Sequence, residues 1–201
     1  MKILHIDCSP MGERSVSRQL TAKAVAAQVA KHPGAQVEHL DLALHAPSHL
    51  DLNGLAPRLG LAEADLTPAQ RAENALTEQL LTQFLAADVL VVGAPMYNFS
   101  VPTQLKAWCD RIAQAGRTFQ YTPTGPKGLV TGKKAIVIST RGGFYAGKPH
   151  EVAMDHQEAY LKGFFGFLGI ADVQIVRAEG LNTGDEPRQQ AIAAAEKALT
   201  A

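Results

Sequence analysis

The chain has 201 residues, 46% of them hydrophobic, and its 19 basic and 19 acidic side chains balance to a formal net charge of zero. That length suits one domain, 1–201, able to bury about 70% of its unfolded surface, and the neutral balance removes the long-range field of a nucleic-acid or acidic-membrane binder. Two cysteines, Cys8 and Cys109, cannot build a disulfide framework, so a reduced, cytoplasmic protein is the simpler expectation.

In chain order, Lys2–Asp7 reads as a short buried strand rather than a signal peptide. No segment approaches the roughly 20 apolar residues that span a bilayer. A helix is predicted from Ser15 or Val16, with Val16, Leu20, Ala24 and Ala27 on one face and His32-Pro33-Gly34 as its stop. Gln36–Leu40 is a second strand. Pro and Gly break residues 41–66 into irregular chain, with a turn or two of helix around Leu50–Leu61. A connection of this length is expected to wall a site or an interface. Thr67-Pro68-Ala69-Gln70 supplies a cap, an N1 proline and a capping-box glutamine, and Leu76, Leu80 and Phe84 then form a core stripe up to Ala87.

The run VLVVGAP (Val89–Pro95) has no polar alternation, as in a parallel strand covered on both faces. The helix after Pro102 turns Leu105, Trp108, Cys109 and Ile112 inward. Ala135–Thr140 is another buried strand, Asp155–Leu168 is helical by pattern, Val173–Val176 is a fifth strand, and Asp185 caps a last Ala-rich helix. Five strands alternating with helices predict a doubly wound parallel α/β sheet with helices on both faces. Ligands of such sheets sit outside the carboxyl ends of the strands, near the topological switch point. The informative loops therefore follow strands one, three and four: CSPMGERSVS, PMYNFS and STRGGFYAG.

The first loop has two readings. Ser9, Ser15 and Ser17, with free N–H groups at a helix start, suit a phosphate; serine in such places also simply caps helices. The spacing Cys8-x5-Arg14-Ser15 is that of cysteine-dependent phosphatases, which need a thiolate and a general acid. The low-molecular-weight tyrosine phosphatases place that acid in an Asp-Pro pair. This chain has none, and its nearest approach is Asp185-Glu186-Pro187. The second loop, Ala94 to Ser100, puts Met96, Tyr97, Asn98 and Phe99 at the end of a buried strand. That wall suits a flat ring. In the third, Gly142 and Gly143 after Thr140 and Arg141 allow close backbone approach to a ligand edge.

These segments, together with PTQLKAWCDRIAQAG, GPKGLVTGKKAIVISTRGG and the later GFLGI and AEG, closely resemble the FMN-dependent NADH azoreductases, flavodoxin-like proteins also described as NADH:quinone oxidoreductases. The resemblance runs nearly end to end. It implies a five-stranded sheet of order 2-1-3-4-5 and a homodimer with each flavin near the partner chain. It further implies that FMN is held by Ser9, Ser15, Val16 and Ser17 at the phosphate and by Met96, Tyr97, Asn98, Phe99, Thr140, Arg141, Gly142 and Gly143 at the ring. Phe119, Tyr121, Phe144 and Tyr145 would line the substrate slot. Thr140 stands where the family commonly has serine, and Cys8 is expected to be non-catalytic.

The chemistry this implies is hydride transfer from NADH through flavin N5 to quinones, azo compounds and possible nitroaromatic acceptors, with one slot used twice in ping-pong order. The preference for NADH comes from the resemblance alone, since Arg14, Arg18 or Arg141 could each receive the extra phosphate of NADPH. The rival readings are the cysteine phosphatase and a non-enzymatic flavodoxin carrier; carriers of that kind are strongly acidic, unlike this chain. No metal pattern is read among the seven histidines. His45 and His49 are four apart, but Pro47 between them argues against a helical ligand pair.

Overall fold

The computed structural model describes residues 1–200. Its elements run β1 (Lys2–Asp7), α1 (Val16–Lys31), β2 (Gln36–Asp41), α2 (Leu52–Leu55), α3 (Pro68–Ala86), β3 (Val89–Pro95), α4 (Thr103–Ile112), β4 (Phe119–Thr122), β5 (Gly125–Gly128), β6 (Lys134–Thr140), α5 (Glu151–Met154), α6 (Gln157–Leu168), β7 (Asp172–Ala178) and α7 (Asp185–Thr200). Five strands pair in the order β2-β1-β3-β6-β7, all parallel. This is the expected 2-1-3-4-5 order, renumbered because a hairpin, β4–β5, intervenes in sequence without joining the sheet.

Every residue of β3 is buried, as its unbroken apolar run requires. Alternate residues of the central strands feed two apolar clusters. Leu4, Ile6, Leu90, Val92 and Val137 pack with Leu80, Phe84, Trp108 and Phe165 of α3, α4 and α6. Ile3, Val89, Val91, Ile136 and Ile138 pack with Leu20 and Ala24 of α1 and Leu199 of α7. The chain passes from β1 outward to β2 and returns on the other side of β1 as β3. The carboxyl ends of β1 and β3 therefore diverge into a crevice.

Local signals account for most boundaries. Ser15 caps α1, accepting from Arg18 N. Thr67 and Gln70 close a capping box around Pro68 at the start of α3. One departure from the sequence reading has a physical cause, and one expectation finds its anchor. The Asp155–Leu168 helix begins only at Gln157, because Asp155 Oδ1 accepts from the N–H groups of Gln157 and Glu158 while its other oxygen pairs with Arg141. Residues 41–66 fold as short turns held by Arg111. This fully buried guanidinium donates to the carbonyl and hydroxyl of Ser48, to Thr77 Oγ1 and to Glu73.

Candidate functional site

A trough opens where β1, β3, β6 and β7 end. Its first part, about 250 Å³, is lined by Ser9, Met11, Arg14, Ser15 and Val16 on one side and by Pro95, Met96, Tyr97, Thr140, Arg141 and Gly142 on the other, with Leu181, Asn182 and Arg188 closing it. Its second part, about 340 Å³, shares Met96, Gly142 and Asn182 and adds Asn98, Phe99, Gly143 and Tyr145. Together the two have the size of a ligand site.

At the serine end, Ser9, Ser15 and Ser17 are buried. The hydroxyls of Ser15 and Ser17 lie 2.9 Å apart, and the first-turn N–H groups of α1, at Val16 and Ser17, have no earlier helical carbonyl to bond. Arg18 fixes the loop from behind. Its Nε and Nη2 donate to the Ser9 carbonyl at 3.2 and 3.0 Å, and its guanidinium is bidentate to Asp41 at 2.7 Å on both arms. The donor set is hydroxyls and helix-start N–H groups, the set that suits a phosphate.

At the other end, Tyr97 and Ser100 exchange backbone hydrogen bonds across a two-residue turn whose central residues, Asn98 and Phe99, have φ of 47° and 72°. A left-handed phenylalanine costs about 1–2 kcal/mol. Strain of this kind is kept where surrounding structure over-determines it, often at a ligand clamp. Met96 N donates to Thr140 O, and the Phe99 carbonyl accepts from His156 N, so the turn is held over the trough from both sides. Opposite it, Gly142 allows the close approach of Asn182: a Cβ there would lie 2.6 Å from Asn182 Nδ2.

The flavodoxin-like fold family matches residues 1–201. An FMN-dependent NADH:quinone oxidoreductase of Delftia acidovorans is 60% identical over 195 residues, covering 97% of this chain and 91% of the relative. One from Albidiferax ferrireducens is 59% identical, covering 97% and 96%. Among solved structures, an FMN-dependent NADH-azoreductase of Bacillus anthracis in complex with FMN superposes with a TM-score of 0.87 at 30% identity, over 99% of this chain and 97% of that one. The chain belongs to the flavodoxin-like FMN-dependent NADH:quinone oxidoreductase family.

For a member of that family the trough fits FMN in its own geometry: hydroxyl and N–H donors at one end, and a cradle of Met96, the Tyr97–Ser100 turn and Gly142–Gly143 at the other. Of the FMN-binding residues carried over from the resemblance, all but Ser17 line the trough, and the Ser17 hydroxyl is bonded to that of Ser15. Arg141 reaches it only along its backbone. The side chain is fully buried against Asp155, Glu158 and Glu179, at 2.8, 2.7 and 3.0 Å. Glu179 also accepts from the N–H groups of Tyr145 and Ala146, which fixes the loop that follows the two glycines.

Of the four slot aromatics, only Tyr145 lines the trough of its own chain, with Phe99 edge-on to it at 6.4 Å. Phe144 is half exposed and rests over Gly180, where a Cβ would meet the ring at 2.3 Å. Phe119 is buried in the core beside Phe167, and Tyr121 stands exposed on the β4–β5 hairpin. The 41–66 segment does not line the trough either; Gly54, Pro57 and Arg58 border a separate hollow beside α3 and α4. The loop after β7, which contributes Leu181 and Asn182, and the first turn of α7, which contributes Arg188, are absent from the sequence reading as parts of the site. The strand-end rule that selects the other three loops applies to this loop equally.

The phosphatase reading fails on geometry. Cys8 Sγ is fully buried, donates to the Gly93 carbonyl at 2.8 Å and does not line the trough. Burial, reinforced by the charge of Asp7, pushes its thiol far above the usual range, the opposite of what a thiolate nucleophile requires.

Proposed function

We propose that the chain acts as an FMN-dependent NADH:quinone oxidoreductase that also reductively cleaves azo compounds, with nitroaromatics as further acceptors. One observation carries the reading: a serine-lined helix start and a strained aromatic turn face a glycine pair across one trough, in a chain 60% identical to a relative of that name. Bound FMN supplies the two-electron chemistry. The protein's own part is binding and exclusion. Ser9, Ser15, Ser17 and the N–H groups of Val16 and Ser17 hold the phosphate. Met96, Tyr97, Asn98 and Phe99 on one side, and Thr140 with the backbone of Arg141, Gly142 and Gly143 on the other, would hold the ring. One trough used in turn by NADH and by the acceptor would yield parallel double-reciprocal plots.

We further infer a single FMN-binding unit over 1–201, doubly wound, as the two apolar clusters on opposite faces support, working in the cytoplasm as a homodimer. In the dimer Tyr121, 76% exposed on its hairpin, would complete the slot with Phe144 and Tyr145. No helix is long and apolar enough to cross a membrane among the described residues. The test is the visible spectrum of purified protein, then anaerobic bleaching by NADH and recovery of colour on adding menadione. A flavin-free protein that FMN cannot reconstitute overturns the reading.

A further inference from the structure

The first two strands carry the same short pattern, His5-Ile6-Asp7 and His39-Leu40-Asp41. Parallel pairing puts His5 directly beside His39 and Asp7 beside Asp41. Residues two apart on a strand share a face, so both imidazoles and both carboxylates lie together, on the face that carries Ile3 toward α1. The two rings are 4.5 Å apart between centroids. His39 Nε2 is 3.0 Å from Asp7 Oδ2, and His5 Nε2 is 3.2 Å from the same oxygen. His5 Nε2 is buried and completes no hydrogen bond.

Four ligands around a tetrahedral zinc at about 2.0–2.1 Å are spaced roughly 3.3 Å from one another. The separations here are close to that value, and the three ligand atoms all lie within 4.8 Å of one another. The other parts of a metal site are also present. Asp7 Oδ1, the oxygen turned away, accepts from Thr21 Oγ1 at 2.9 Å, the kind of outer contact that orients a ligating carboxylate. Arg18 stands 3.7 Å from Asp7, but its charge is matched by the bidentate pair with Asp41, so the Asp7 carboxylate remains available to a cation. The side chain of His39 is about half exposed, which leaves an entry path and a fourth position for water. Two imidazoles and one carboxylate select zinc or a neighbouring late transition metal over calcium or magnesium, which prefer all-oxygen sets.

We propose that His5, His39 and Asp7 form a binding site for one zinc-class divalent cation on the β1–β2 edge of the sheet, separate from the flavin trough. The experiment is calorimetric titration of Zn²⁺ into tag-free, FMN-loaded protein at pH 7.5 in a non-chelating buffer. One ion per chain is expected. The His39→Gln variant should lose the stoichiometric site, and Thr21→Val should weaken it by about 10–100-fold. The His45→Gln/His49→Gln double variant should bind as the parent does. Because His5→Gln perturbs a largely buried position, the half-exposed His39 carries the test, with a thermal melt without zinc as the control for folding. Absence of one-to-one binding, or binding unchanged in His39→Gln, overturns the proposal.

Discussion

Replacing Arg141 by methionine tests whether the trough rests on a buried charge cluster. The guanidinium is fully buried and meets Asp155, Glu158 and Glu179 within 3.0 Å. Glu158 keeps Arg177, at 2.8 and 2.6 Å, when Arg141 is removed. Asp155 and Glu179 have no second ion-pair partner among the described residues. Breaking a buried pair from one side costs about 3–5 kcal/mol. In a chain of this size that lowers Tm by roughly 6–20 °C. Urea denaturation at saturating FMN measures the deficit, and its pH dependence tests the cause. Burial raises the carboxyl of Glu158, but the Arg177 hydrogen bonds and the charge of Arg141 outweigh it and hold it below the usual range. A folded-state value below the unfolded one of about 4.3 contributes stability that is complete above that pH and is lost as pH falls through the folded value. The variant has already lost part of that contribution, so its deficit should narrow as the pH falls below about 4.3. A deficit under about 1 kcal/mol at pH 7, well short of a broken buried pair, or one that widens on acidification, would refute the electrostatic account.

Ser9→Ala should weaken FMN by about 10–150-fold, the loss of one hydrogen bond to a charged group, while riboflavin, which lacks the phosphate, should bind as before; fluorescence titration with both ligands separates the two. Gly128→Ala would place a Cβ 2.2 Å from Gly169 N, against backbone that cannot rotate away, and should lower stability by about 1–3 kcal/mol or more in a thermal melt. Cys8→Ser keeps a donor toward the Gly93 carbonyl and should leave NADH-linked turnover within about twofold, the range of a minor perturbation; in the parent protein, mass spectrometry after iodoacetamide treatment should find Cys8 unmodified until the chain unfolds.

The sequence is most informative where burial is complete. The run Val89–Pro95 can only be a covered strand, and its bounds are those of β3. Thr67 and Gln70 announce α3 because a cap is a local contract between residues three apart. Less is legible where distant groups decide. The β4–β5 hairpin contains Pro126 and two glycines and shows no alternation, so its pairing is set by the backbone contact of Gly128 with Gly169 and by Phe119 against Phe167. The late start of α6 depends on Arg141, sixteen residues earlier. The His5–His39 pair is invisible to spacing along the chain, since 34 residues separate its members, and it becomes evident only through strand register.

The arrangement of arginines also bears on which reductant the trough accepts. Three of them lie near the loops in sequence and could receive the extra phosphate of NADPH. Arg18 is committed to Asp41, and Arg141 to three carboxylates. Arg14 and Arg188 line the trough without an ion-pair partner among the described residues, both in its serine part. There the phosphate of FMN would offset Arg14, with the Ser15 and Ser17 hydroxyls beside it. The ring part, bounded by Met96, Asn98, Phe99, Gly142, Gly143, Tyr145 and Asn182, contains no charged side chain. A nicotinamide stacked there finds aromatic and amide surface and no charged group. Of the three arginines that could receive the extra phosphate of NADPH, two are thus sequestered within the structure that positions the loops, which leaves Arg14 to that role.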